Sequence, residues 1–297
     1  MPRVSVIVPA YNAQAVLAQT LESVHAQRYR DWEIVVADDG SSDRTAEIAR
    51  SFDRVTVVAT EGRLGPAGAR NRALEAAGGE LMALLDADDL WEPELLSEQV
   101  ACYDAEEARE PGVGVVACDA RILQDGRMQE HTYADEFGRP DGVTLTTLLT
   151  HNPILACGAL TPLGLVRDLG GFDPATWGSE DHELWLRIVE RGRRIVSNPR
   201  ALAIYRRGAA SVSADAIGMA RTNQVTLRRA LERGRLDPGQ ARIARRELRL
   251  HEAIERVALA RDGRSPAHLA RAVPALARVA AENPHRWRRW ARRRRMA

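Results

Sequence analysis

Four short apolar runs, each followed by polar residues and then by a helix-spaced segment, constrain this chain more than any other feature of its sequence. Val4 to Val8, Glu33 to Ala37, Val55 to Ala59 and Leu81 to Leu85 have the length and apolar content of strands. Strands that alternate with helices bury their apolar faces in a mostly parallel sheet with helices packed on it, so the expected class is α/β. Pro9 is expected to interrupt the first strand. The spacing of Val16, Leu17, Leu21 and Val24 predicts a helix ending near Gln27. Ser42-Asp43 can cap a short helix through Ser51, and Pro66 fits the first turn of a helix that stops at Gly78-Gly79. A helix from about Pro93 to Arg109 and a fifth strand from Val113 to Cys118 follow. The pattern then loosens into Gly- and Thr-rich sequence through about Pro162. From Asp215 the sequence is helical and Arg-rich, with breaks at Asp237-Pro238-Gly239 and Ser265-Pro266, so a boundary is expected between residues 208 and 215.

The length of 297 residues suits one large domain with a C-terminal helical extension. No apolar run approaches the roughly 20 residues that cross a bilayer. The start, Met1-Pro2-Arg3, lacks the features of a signal peptide, so a cytoplasmic location is expected. Cys102, Cys118 and Cys157 form no CxxC pair and read as small core residues. All 42 basic residues are arginine, which excludes Schiff-base chemistry and the lysine phosphate loop. Residues 284–297 carry seven arginines and no acid, leaving the rest of the chain acidic. Their mixture with Trp287 and Trp290 suits peripheral contact with an anionic membrane, as does a solvated tail; nucleic acid is a competing polyanion and is not expected as a partner.

Ligands bind open parallel sheets at the carboxyl ends of the strands, and four places there are unusually polar. They are Pro9-Ala10-Tyr11-Asn12, Asp38 to Asp43, Gly65 to Asn71, and Asp86-Ala87-Asp88-Asp89. Crowded carboxylates repel one another unless a cation or water relieves them, and hard oxygen donors favour Mg2+ or Mn2+. Asp88 and Asp89 also suit a cap for the helix near Pro93. Asp38 and Asp39 fit a turn or a bond to a base or ribose. Arg70, behind a Gly-rich turn, fits a phosphate, a base or plain solvent. No GxGxxG follows any strand, which disfavours a dinucleotide-binding dehydrogenase. Glu180-Asp181 stands before the apolar segment with Leu184, Trp185, Ile188 and Val189, where a carboxylate can cap a helix or act as a general base. His182 reads as a solvated histidine on a polar helix face.

Taken in order, these segments resemble the family 2 glycosyltransferases, which have a GT-A fold. The resemblance is carried by Val4 to Asn12, Ala37 to Thr45, Gly65 to Asn71, Leu85 to Asp89, Gly170-Gly171-Phe172-Asp173, Ser179-Glu180-Asp181 and Leu184-Trp185-Leu186-Arg187. It covers roughly residues 3–213 and implies a catalytic domain over 1–213, a helical extension over 214–283 and a basic tail over 284–297. It implies inverting transfer from a nucleoside-diphosphate sugar, with uridine as the base, to a hydroxyl-bearing acceptor. Pro9, Tyr11, Asp39, Arg70 and Asp86 would bind the donor, Asp88 a divalent cation, Mn2+ or Mg2+, and the adjacent Asp89 competes for that last role. Asp181 would be the base and Glu180 an acceptor-side neighbour. Gly208 stands where many relatives have His after the basic residues. A sugar nucleotidyltransferase and a non-catalytic sugar-nucleotide-binding module are the alternatives. Cytoplasmic residence at the inner face of a membrane is the location expected.

Overall fold

Each of the four apolar runs becomes a strand in the computed structural model, which describes residues 1–208 and 215–261. In chain order the first elements are β1 (Val4–Ala10), α1 (Leu17–His25), β2 (Trp32–Asp38), α2 (Thr45–Arg50), β3 (Val55–Ala59), α3 (Gly65–Ala76) and β4 (Leu81–Leu84). The strands pair in parallel in the order β3-β2-β1-β4. Val4, Val6, Ile7 and Val8 are fully buried, as continuous apolar runs must be when both faces of a sheet are covered. The chain steps outward from β1 to β3 and then returns across β1 to β4. Strand order therefore reverses between β1 and β4, and the loops after these two strands flank the crevice where such sheets bind ligands.

Pro9 does not interrupt β1, which continues to Ala10. The last β4 partner lies opposite Ile7, and Pro9 sits beyond it, paired only with Ala37 of β2. A missing N–H is tolerated there because no second strand requires it.

The sheet continues with β5 (Leu90–Trp91), α4 (Leu95–Arg109), β6 (Val113–Gln124), β7 (Arg127–Thr132), α5 (Tyr133–Phe137), α6 (Leu145–Thr150), β8 (Leu160–Pro162), α7 (Leu163–Asp168), α8 (Glu180–Glu190) and β9 (Arg194–Arg207). β8 lies antiparallel between β4 and β6, β9 runs parallel to β6, and β5 closes the order against β9. The fifth predicted strand is thus twice as long as expected and turns into β7 through Asp125-Gly126, both at positive φ. That dipeptide is a hairpin signal, and the unpatterned strands around it hide its meaning. β9 has no clean alternation because its register against β6 shifts at Pro199-Arg200, where Asn198 Oδ1 accepts the Arg200 N–H at 3.1 Å.

His182 is buried rather than solvated: its Nε2 bonds to the Leu148 carbonyl at 2.7 Å and ties α8 to the end of α6. The helix face it occupies looks polar in sequence but is covered by α6. Cys118 and Cys157 are buried as expected, and Cys102 is partly exposed.

The chain divides into two compact units, Met1–Ala210 and Ser211–Ala297. In the second, α9 (Ala216–Glu232) and α10 (Pro238–Arg261) pack on each other, cross-linked by Arg221–Glu255 at 2.7 Å and Arg228–Glu252 at 3.1 Å. Asp215 caps α9 by accepting the Ile217 and Gly218 N–H groups at 3.0 Å. The Ser265-Pro266 break and the Arg/Trp tail lie outside the described residues. Among the described residues no helix is long and apolar enough to cross a membrane.

One loop fixes α8 against the crevice. Asn71 of α3 brackets Phe172, accepting its N–H at 2.7 Å and donating to its carbonyl at 2.8 Å. Arg187 of α8 donates to the carbonyls of Leu169 and Gly171 at 2.7 and 2.6 Å. Gly171 between them has φ +73°, and a Cβ there would come within 2.4 Å of Asn71 Oδ1. Gly171→Ala combines a disfavoured backbone region with this overlap and is expected to cost about 2 kcal/mol or more, read as a lower urea midpoint with an unchanged far-UV CD spectrum.

Candidate active site

The crevice between β1 and β4 is organised by one buried arginine. Arg70, on α3, is 4% exposed, and its two terminal nitrogens reach different parts of the chain. One donates to Asp86 Oδ1, just after β4, at 2.5 Å, and the other to Glu180 Oε1 at the start of α8. The Phe172 ring lies 5.6 Å from the guanidinium carbon. The neighbouring carboxylates of Asp86 and Glu180 outweigh the opposing effect of burial and raise the Arg70 pKa, keeping it charged. Glu180 is itself buried, and its second oxygen accepts the Gly178 N–H at 2.7 Å. The structure therefore sets Glu180 inside an ion-pair network, with each oxygen engaged in one bond.

Asp181, next in the first turn of α8, is partly exposed. Desolvation first, and then the charge of Glu180, push its carboxyl up to about 7, against the opposing charge of Arg70. Asn152, a residue the sequence pattern did not single out, donates from Nδ2 to Asp181 Oδ2 at 3.2 Å.

The three aspartates after β4 face three different ways. Asp86 lies on Arg70. Asp88 is exposed, and desolvation by the surrounding protein together with the Asp86 charge raises its carboxyl to about 6. Asp89 is 1% exposed and accepts the Arg206 N–H of β9 at 2.8 Å, while its carbonyl and that of Ala87 accept the Thr20 hydroxyl of α1 at 2.9 and 2.7 Å. Burial and the two neighbouring aspartates hold the Asp89 carboxyl well above the usual range. These aspartates do not cap α4: Asp89 instead fastens the loop to β9, and Asp88 presents the open carboxylate. Among the described residues no three His, Cys, Asp or Glu side chains converge on a metal position. Hard oxygens from Asp88 suit Mg2+ or Mn2+, ions that keep several waters and take further ligands from substrate phosphates, so this donor set fits without a protein cage.

On the other side of the crevice Asp39 is buried and tied to the loop that leads into α3. Its oxygens accept the N–H groups of Leu64 and Gly65, both at 2.8 Å, and the Thr60 hydroxyl at 3.0 Å. Tyr11 is 41% exposed, and the Arg63 guanidinium lies 4.1 Å over its ring and 5.5 Å from Trp177. Arg63 and Trp177 were not legible as site residues, since an exposed Arg or Trp has no pattern of its own. Pro9 sits at the end of β1 below Tyr11. Arg207 of β9 pairs with Glu136 at 3.0 Å, and among the described residues a Cβ on the exposed Gly208 would meet nothing within 4 Å.

The sequence and the fold have recognisable relatives. The family described as Glycosyl transferase family 2 matches residues 5–159. A putative teichuronic acid biosynthesis glycosyltransferase of Bacillus subtilis is 32% identical over 211 residues, 69% of this chain and 79% of that protein. An uncharacterized protein of Sinorhizobium fredii is 34% identical over 239 residues, but the chain spans only 25% of that relative's length. Among solved structures, S. aureus TarS 1-349 in complex with UDP-GlcNAc aligns with a TM-score of 0.68 at 21% identity, covering 93% of this chain and 80% of that one. A mannosyltransferase from Pyrobaculum calidifontis in complex with GDP-Man and Mn2+ gives 0.64 at 24% identity, covering 96% and 82%. At these identities the likeness establishes the fold, which is GT-A.

Removing one member of a buried charge network leaves the others desolvated and unpaired. Arg70→Ala is therefore expected to destabilise the protein by about 3–5 kcal/mol, and Arg70→Ala combined with Glu180→Gln to recover part of that loss in urea denaturation.

Proposed function

The chain belongs to glycosyl transferase family 2, and from that premise we propose that it transfers a sugar from a nucleoside-diphosphate sugar, with uridine as the base, to a hydroxyl of a glycan, lipid-linked or other acceptor, with inversion. The observation that carries this reading is Asp181, a partly exposed carboxylate poised at about 7 beside the Arg70 network at the mouth of the strand-order crevice. A base with its pKa near the working pH is ionised when the acceptor arrives yet strong enough to take the proton.

In the proposed step Asp181 removes the proton of the acceptor hydroxyl as its oxygen attacks the anomeric carbon. The bond from that carbon to the diphosphate oxygen breaks on the opposite face, and the electron pair leaves with the nucleoside diphosphate. Tyr11 offers an exposed ring to the base, and Pro9 and Asp39 shape the floor beneath it. Arg70, already bound to Asp86 and Glu180, acts by holding Asp86 at the ribose side and the first turn of α8 at the acceptor side. Asp88, with its open carboxylate, would hold a divalent cation, Mn2+ or Mg2+, which when bound neutralises charge on the leaving diphosphate. Contact of residues 284–297 with anionic lipid at the inner face of a membrane belongs to the same proposal.

Asp181→Asn is expected to lower transfer by about 10²- to 10⁴-fold while leaving UDP binding intact; full activity would sink the base assignment. Transfer by the wild type should rise with pH up to about 7 and then level, because the base works ionised. The sign for stability is opposite. The folded state binds this proton more tightly than the unfolded chain, where an aspartate titrates near about 4, so ionisation erodes stability as pH climbs from there to about 7. Asp181→Asn should accordingly raise the melting temperature at pH 8 and leave it unchanged at pH 4 or below. Asp88→Ala should abolish the additional thermal shift that Mn2+ gives with UDP but retain any shift from UDP alone.

A further inference from the structure

The carboxylate of Asp181 has a neutral neighbour to which the reading above gives no task. Asn152 Nδ2 donates to Asp181 Oδ2 at 3.2 Å. The amide is itself held in one orientation, because Asn152 Oδ1 accepts the N–H of the buried Ile154 at 3.0 Å. Turned over, it would set its oxygen against the carboxylate and its NH2 against an N–H, which is unfavourable at both ends. The segment that carries Asn152 is also fixed to α8 independently: His182 Nε2, one residue beyond the base, bonds to the Leu148 carbonyl at 2.7 Å. Two bonds therefore join α6 and the segment just after it to the first turn of α8, one at the Leu148 carbonyl and one at the reacting carboxylate.

The charged and titratable groups facing Asp181 come from every side. Glu180 shares its helix, Arg70 lies on α3, Asp86 follows β4 and Tyr133 belongs to α5. Glu180 and Asp86 oppose ionisation, and Arg70 is shared between those two carboxylates. An N–H bonded to a carboxylate stabilises its ionised form over its neutral form. It also fixes one oxygen, and the backbone N–H of His182 favours the ionised carboxylate in the same sense.

We propose that Asn152 is the positioning residue of the base, holding Asp181 Oδ2 so that Oδ1 faces the acceptor hydroxyl and favouring the ionised carboxylate. The orienting purpose rests on the base reading of Asp181; the effect on its proton affinity does not. A residue that merely shaped the turn after α6 would affect folding and leave the carboxylate's titration alone.

The first measurement needs no donor or acceptor. Full-length protein labelled with 13C at the aspartate carboxyl is titrated by NMR, with the Asp181 resonance identified by its loss in Asp181→Asn. Asn152→Ala should raise its midpoint, corresponding to about three- to tenfold tighter proton binding. Asn152→Asp should raise it further by adding a negative charge, and Asn152→Ser, which keeps a donor and serves if the alanine variant fails to fold, should raise it less. The same displacement should appear in the pH limb of UDP release from UDP-glucose or UDP-N-acetylglucosamine, whichever the wild type turns over. An unmoved midpoint in the folded variants overturns the proposal, as does a fall in turnover with no displacement of the limb. Full transfer by Asp181→Asn would instead overturn the base reading, whatever Asn152 does, so the two failures are distinguishable.

Discussion

The bond from Arg70 to both Asp86 and Glu180 is the constraint on which the site depends, because it joins three elements that the chain brings from far apart. α3 supplies the cation, the loop after β4 one anion, and α8 the other. In water such pairs contribute little, but at 4% exposure the guanidinium has lost its hydration and can be satisfied only by these partners. Its Nε finds none. The network thus fixes α8 relative to the sheet at the cost of concentrating charge.

That concentration has a consequence for the neighbours. With Asp86 and Glu180 committed to Arg70, Asp181 and Asp88 lose hydration in the field of those carboxylates, the opposing charges of Arg70 and Arg206 offset this only in part, and both are pushed upward. A carboxylate held near neutrality is a stability defect in a protein that only folds and a useful acid–base group in one that also reacts. Asp89 shows the other outcome: buried beside the same charges, it is engaged with the backbone of β9 and serves the shape of the loop.

Much of the architecture was legible locally. The four apolar runs, the helix spacing of Leu17, Leu21 and Val24, and the Gly78-Gly79 stop follow from side-chain periodicity and backbone freedom, which act over a few residues. The region from Asp119 to Pro162 was not, because β7 is largely exposed and β8 spans only three residues, and β9 further along shifts register at Pro199-Arg200, so no window in either stretch holds a clean period. The one local clue, Asp125-Gly126, needed strands on both sides to mean a hairpin. His182 looked solvated because its helix face is polar, and only the packing of α6 buries it.

The sequence by itself determined that carboxylates would stand after β4 and at the start of α8, that Tyr11 and Asp39 would stand at neighbouring strand ends and that Arg70 would stand on the helix behind the Gly-rich turn, since a strand's length and a helix's first turns fix where its polar residues emerge. Only the tertiary structure decided which of them are committed to one another. The choice between Asp88 and Asp89 as the open carboxylate, the capture of Glu180 by Arg70 across 110 positions, and the approach of Asn152 to Asp181 all depend on which side chains lose water together. Desolvation is a property of the packed neighbourhood, and no local pattern encodes it.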